Sequence, residues 1–429
     1  MRNFQAGRLG EHLFDRERRV RIADGLAAAT AASLPWSTSA TAIFLTAWFV
    51  VLVSALDIAR LAREIVSPAG GLPILLVAIA AVGMSWSEAS LSERLQGLEG
   101  FCKLLFIPFL LAQFRRSHRG WWVILWFLGA SILLLLVSSA LAWIPGLPWH
   151  GKAQMPGVPV KDYISQSGVF ALCAFALLGH AADVWRRHRR PLAFALVFVA
   201  AAFIANIAFV ETGRTTLVTI AVLVPLFGLR QLGWRGIVVA GVVGCAVAGT
   251  LWMSSSYLKE RVIHAVEEVQ LYRTEHVPTS SGLRLEFWRR SIDIVSKSPI
   301  AGHGTGSIPM LLMPDAERNT NDDAFVTVNP HNQILVVAIQ LGLIGTSALL
   351  AMWIAHLSLF RGEGLISWIG LVAVVENMVG SLFNSHLSDF TQGWIYVFAV
   401  GVLGGMALRQ AVPQPERRAS AGDTAIEAR

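Results

Sequence analysis

WWVILWFLGASILLLLVSSALAWI, from Trp121 to Ile144, runs for 24 positions without one charged side chain. Coiled at about 1.5 Å per residue, it outreaches the roughly 30 Å hydrocarbon core of a bilayer, so it reads as a spanning helix. Arg115, Arg116 and Arg119 stand just before it and a polar, Pro-rich stretch follows it. Outward from it the pattern repeats. Apolar segments run over Ile22 to Leu34, Thr41 to Leu56, Leu72 to Trp86, Leu98 to Gln113, Ser165 to Val184 and Pro191 to Val210. Others cover Thr215 to Leu229, Gly236 to Met253, Asn332 to Leu359, Leu365 to Phe383 and Gly393 to Leu408. The expectation is an all-α polytopic membrane protein of about twelve spans. Composition agrees: 54% of residues are hydrophobic and 15% charged, where soluble domains carry about 25% charged residues.

The first segment is short, Ala-rich and interrupted by Asp24. The long basic stretch before it and the lack of a small-residue cleavage site favour a retained span over a signal peptide. Arg60, Arg63, Arg115, Arg116, Arg119, Arg186, Arg187, Arg189, Arg190, Arg230, Arg235 and Arg361 fall in loops on one side. Only Arg94, Lys152, Lys161 and Arg214 fall in short loops on the other. Positive charge prefers the cytoplasm, so both termini are expected there and the 255–330 loop outside. The expected organisation is nine spans over 1–254, a large outer loop with helices of its own over 255–330, three spans over 331–408, and a disordered tail over 409–429. The net charge of +7 is absorbed by arginines facing anionic lipid headgroups and needs no nucleic acid. Cys102, Cys173 and Cys245 sit in apolar segments without paired spacing, so neither a disulfide framework nor a thiolate metal site is expected.

The outer loop carries the chemistry. A helix reads over Gly282 to Lys297, with Leu283, Phe287 and Ile294 at helical spacing and Ser298-Pro299 ending it. On it, Arg290 and Arg289 have Glu286 and Asp293 at four-residue spacing and read as surface ion pairs, while Arg284 has no acid one turn away. Gly302-His303-Gly304-Thr305-Gly306 is a flexible turn or a phosphate cradle. His331 opens the next span after Pro330, beside Asn332, and is either a hydrogen-bonded interface residue or a base. Arg214 sits in the tight hairpin Glu211-Thr212-Gly213-Arg214, where a cation needs a partner or a task. Lys103, four residues after Glu99, and Lys161, before the next span, are snorkelled cations or phosphate contacts. Glu376 and Asn377 lie inside a span and read as helix-to-helix hydrogen bonding or a proton path. Asn321-Asp322-Asp323 reads as a solvated turn rather than a cation site.

Gly213-Arg214, then Arg284 with Trp288, then Ser298-Pro299 with Gly302 to Gly306, then His331-Asn332, is an order that resembles the Wzy_C-type membrane glycosyltransferases. These are the O-antigen ligases, the O-antigen polymerases and the bacterial O-oligosaccharyltransferases. The resemblance covers about Val210 to Leu349. With one dominant outer loop, the chain is most similar to the ligases. It implies a GT-C-like fold and transfer of a glycan from undecaprenyl pyrophosphate to lipid A-core, in the periplasmic leaflet of a Gram-negative inner membrane. It implies no metal and no cofactor. On this resemblance Arg214 and Arg284 hold the pyrophosphate, with Arg289, Arg290, Lys103, Lys161, His303 and Asn332 as further binding candidates. His331 is the general base, a role worth about 10² to 10⁴-fold in rate, and direct displacement inverts the anomeric centre. A polymerase or a protein O-oligosaccharyltransferase shares the donor and differs in acceptor. A lipid-linked glycan transporter is the alternative outside the enzymes, but it would place its polar groups near the midplane on broken helices.

Overall fold

The computed structural model describes residues 2–144, 157–275, 279–312 and 329–411. Among them there is no strand; the elements are α1 (Arg2–Ser33), α2 (Thr38–Ala55), α3 (Ile58–Val66), α4 (Pro68–Gly83), α5 (Leu91–Cys102), α6 (Phe106–Phe114), α7 (Gly120–Trp143), α8 (Tyr163–Arg186) and α9 (Arg190–Phe209). Then come α10 (Arg214–Leu232), α11 (Trp234–Ser254), α12 (Ser256–Glu275), α13 (Ser280–Lys297), α14 (Ile308–Leu312), α15 (Gln333–Leu359), α16 (Leu365–Ser381), α17 (Phe390–Phe398) and α18 (Gly404–Gln410). The chain is an all-helical, polytopic membrane protein. Each segment expected to cross is helical, but nine described helices are long and apolar enough by themselves, or ten if the bent pair α3–α4 counts as one. α16 is apolar and shorter, and α1, expected to carry the first span, is not among them. The expected tail and Asp322-Asp323 lie outside the described residues.

Local chemistry sets the boundaries. Ser37, Asp57, Ser67, Asp162, Thr279 and Asn332 each cap the helix that follows with a side-chain oxygen. Ser90 and Glu93 form a reciprocal capping box on α5. Pro68 has no N–H and disfavours helix at Ser67, so α3 and α4 meet at 81°. Asp24, which made the first segment look weak, is buried and accepts from Gln113 Nε2 at 2.8 Å and Ser117 Oγ at 2.7 Å. The charge inside α1 is therefore a tie to α6 rather than a break.

α8 and the last span are the centre of the bundle, with 72% and 83% of their apolar windows buried, whereas α11 has 6%. Trp48, Phe114, Phe170, Phe203, Trp353 and Tyr396 are wholly enclosed. Trp122, Phe198 and Val242 are exposed, as expected of side chains that meet lipid. The starts of α2, α8, α10, α15 and α17 and the ends of α9 and α16 lie at one end of the bundle, where α12 meets α9 and α10 and α13 and α14 meet α15.

α15 is kinked at Gly342 (φ 58°). The carbonyls of Ile339 and Gln340 there accept from His303 and Gly304 N–H, both at 2.8 Å, while Leu343 and Ile344 N–H donate to Pro299 and Ile300 carbonyls at 2.8 and 3.2 Å. The strap 299–304 thus replaces the helical bonds that the kink breaks.

Candidate active site

His331 is held by its neighbours on every side. Asn332 Oδ1 accepts from Ile334 and Leu335 N–H at 2.9 and 3.1 Å, and its Nδ2 donates to the Leu382 carbonyl at 3.0 Å. Trp288 Nε1 donates to the Pro330 carbonyl at 2.9 Å. Asn329 Oδ1 accepts from His331 N–H at 2.9 Å and from Ser385 Oγ at 2.7 Å. So fixed, His331 adopts φ 49°, a left-handed conformation that side chains rarely take. Its imidazole faces a cavity of about 990 Å³. Burial first, then the Arg284 guanidinium, pushes it down to about 4, against a hydrogen bond with Asn384. At neutral pH the ring is uncharged and one nitrogen can accept a proton.

Arg284 is half-buried on the same cavity wall. No carboxylate lies within ion-pair distance of it among the described residues, and burial lowers its pKa. Arg214 differs. Its two terminal nitrogens grip Glu268 at 2.7 and 2.9 Å, and Nη1 also donates to Ser281 Oγ at 2.6 Å. Glu268 is held down to about 2, first by Arg214. Arg214, expected to hold a pyrophosphate directly, is not on the cavity wall; it fastens α12 and the start of α13, the helix that carries Arg284. The fixed fork of the guanidinium suits that bidentate clasp.

Lys161 lines the cavity, with Nζ bonded to Thr391 Oγ1 at 2.9 Å and to the Leu34 carbonyl. Burial brings it down to about 8. Lys103 donates to the Ser388 and Asp389 carbonyls at 2.9 and 2.8 Å and does not reach this cavity. It is thus a brace under the start of α17 rather than a cation facing Arg284.

The structure leaves the other candidates elsewhere. Arg290 pairs with Glu286 at 2.8 Å, as its spacing suggested, but Asp293 takes Lys297 at 2.7 Å rather than Arg289, which is exposed off the cavity. His303 Nε2 meets the Ile294 carbonyl at 3.0 Å, away from the cavity. The glycine-rich turn has no amides to offer a phosphate: His303, Gly304, Thr305 and Gly306 N–H all donate to protein oxygens. Its glycines serve close packing, since a Cβ on Gly304 would lie 2.5 Å from Ser87 Cα. Asn332 is spent on capping. Glu376 and Asn377 lie buried beneath the cavity floor, where Asn377 Nδ2 reaches the Gln392 carbonyl at 3.5 Å. Among the described residues no group of three or more His, Cys, Asp or Glu side chains is placed for a metal ion.

Three contributors were not foreseen. Asp389 projects into the cavity, pushed up to about 6 by burial, with Lys103 opposing and Asp162 adding to the rise. Asn384 joins the His331 imidazole to Thr215, donating Nδ2 to its Oγ1 at 3.4 Å. Glu268 neutralises Arg214. The polar run Asn384-Ser385-His386 and Ser388-Asp389, set between two apolar spans, was the available signal for the first two.

The family described as Wzy_C: O-Antigen ligase matches residues 199–350. That range includes Arg214, Glu268, Arg284 and His331 and leaves out Lys161, Asn384 and Asp389. No curated protein matches the chain. The match, over less than half of the chain, supports a membrane enzyme of the O-antigen ligase and polymerase type.

Proposed function

We propose that this protein is an inverting membrane glycosyltransferase that moves a glycan from undecaprenyl pyrophosphate to a sugar hydroxyl of lipid A-core. The observation that carries the reading is a guanidinium, Arg284, with no carboxylate within ion-pair distance among the described residues, facing a neutral imidazole, His331, across one large cavity at the end of a helical bundle. The loop-charge bias supports this cavity facing away from the cytoplasm, and the family resemblance implies the periplasmic side of a Gram-negative inner membrane.

The donor pyrophosphate lies against Arg284 and Lys161. As the bond from the anomeric carbon to the phosphate oxygen breaks, the electron pair goes to that oxygen and its charge grows. A cation already in place stabilises that state more than the ground state. On the opposite face the acceptor oxygen bonds to the same carbon and its proton passes to a His331 ring nitrogen. An anion bound at Arg284 offsets the field that holds His331 near 4, so the donor strengthens the base that acts on the acceptor. Arg214 acts through Glu268 by setting the position of α13.

The test is purified protein in lipid with undecaprenyl-pyrophosphate glycan and lipid A-core, reading product size on a gel. Core that gains sugar only with both His331 and Arg284 intact supports the reading. A lengthened lipid-linked glycan with unmodified core would make it a polymerase, and no covalent product would favour transport.

A further inference from the structure

A second cavity, of about 660 Å³, lies behind the Asn329–Ser385 contact. Asn329, Ser385 and Phe390 line both cavities, so those three side chains form the partition between them. The volume falls within the range of small-molecule sites, about 300–1,000 Å³. Its charge balance differs from that of the first. Where the first cavity presents Arg284, Lys161 and His331 beside Asp162 and Asp389, the second presents Glu99 and Gln96 from α5, with Glu93 above them committed to the cap of α5. Its one cation among the described residues, Lys103, is spent on two backbone carbonyls. Phe106 and Trp394, edge to face at 5.2 Å, supply aromatic surface. The α2 wall, Ala42 and Thr46, stands beside Ile43, which is 67% exposed on the lipid-facing side.

We infer that this second cavity receives the acceptor, an uncharged saccharide terminus on a lipid anchor, whose hydroxyl meets His331 at the Asn329–Ser385 partition. The inference rests on the glycosyl-transfer reading above and adds to it the acceptor's place and charge class. A pyrophosphate needs a cation free to meet it, and the second cavity's Lys103 is committed to two backbone carbonyls, so the donor belongs with Arg284. Amide and carboxylate oxygens beside aromatic faces suit the hydroxyls and apolar ring faces of a sugar. A lipid-anchored substrate enters past α2 without leaving the bilayer. A phosphorylated terminal sugar is disfavoured by Glu99.

The test uses purified protein in liposomes, a synthetic undecaprenyl-diphosphate trisaccharide as donor, and a lipid-anchored hexose oligosaccharide as acceptor, with and without phosphate on its terminal sugar. Gln96→Trp and Ala42→Trp fill the second cavity from two walls. Each is expected to raise acceptor KM at least tenfold with donor Kd within twofold of wild type. Glu99→Gln, which leaves the volume unchanged, is expected to improve use of the phosphorylated acceptor relative to the neutral one at least fivefold. A tenfold loss of donor affinity in the Trp variants would assign the cavity to the donor and overturn the inference. Unchanged acceptor KM in both, or an unchanged acceptor ratio in Glu99→Gln, also overturns it. Wild-type protein that binds donor yet transfers to no saccharide fails before any variant is made, which removes the transfer reading itself.

Discussion

Burial, reinforced by the Arg284 guanidinium, keeps His331 uncharged and holds its imidazole near 4. The folded value lies below the ordinary one, so the unfolded chain takes up the proton first. The stability that this group contributes is therefore present above about pH 6.5 and lost as pH falls towards 4. For catalysis the same sign holds, because only the neutral ring accepts a proton. The acid limb of kcat/KM is expected near pH 4, and that of kcat, with donor bound, at higher pH. Coincident limbs would oppose the coupling of donor to base.

Removing the cation itself should be severe. Arg284→Ala is expected to lower kcat by about 10² to 10³-fold, the usual loss for one transition-state donor, with insertion into the membrane unchanged. Arg284→Lys keeps charge without the fork and should recover part of it. Steady-state transfer rates on protein of equal thermal stability check this; an unaltered kcat in the Ala variant would remove Arg284 from the reaction.

Arg214 and Glu268 should behave as one unit. Arg214→Gln and Glu268→Gln are each expected to lower kcat/KM by about tenfold or more, and the double variant should be little worse than either, as residues in contact are not additive. A double-mutant cycle measures this. Additive losses would indicate that Arg214 touches substrate directly.

Gly342→Ala should destabilise the fold by about 2 kcal/mol or more, since it puts a side chain at φ 58° with its Cβ 2.4 Å from the Ile300 backbone. Thermal unfolding in detergent reads the shift. Gly304→Ala is expected to act in the same way, and a loss of donor affinity without loss of stability would instead revive a phosphate role for that turn.

Much of the fold was legible because apolar length is a local property: each expected segment is helical, from α1 to the α17–α18 span. Length misled at the edges, since α3–α4 bends, α16 is short and α1 is helical without being apolar enough to count as a span. The sites of Arg284 and His331 were legible because an unpaired Arg and a Pro-His pair stand out in their own neighbourhood. Partners distant in sequence were not. Glu268 lies 54 positions from Arg214, and no periodicity announces that pairing. Lys103 reaches the Asp389 carbonyl across 286 positions, so its spacing from Glu99 pointed to the wrong neighbour. The glycine-rich turn had two readings until the kink of α15 supplied acceptors for its amides.

α13 is fastened at both ends, at its start by Arg214 with Glu268 and at its close by the strap on the α15 kink. A helix tethered twice cannot rise as a lid. The α13 side of the cavity is therefore a fixed wall, and on the proposed reading a substrate with a long hydrocarbon tail would gain entry by sliding in sideways between helices while its tail stays in the lipid.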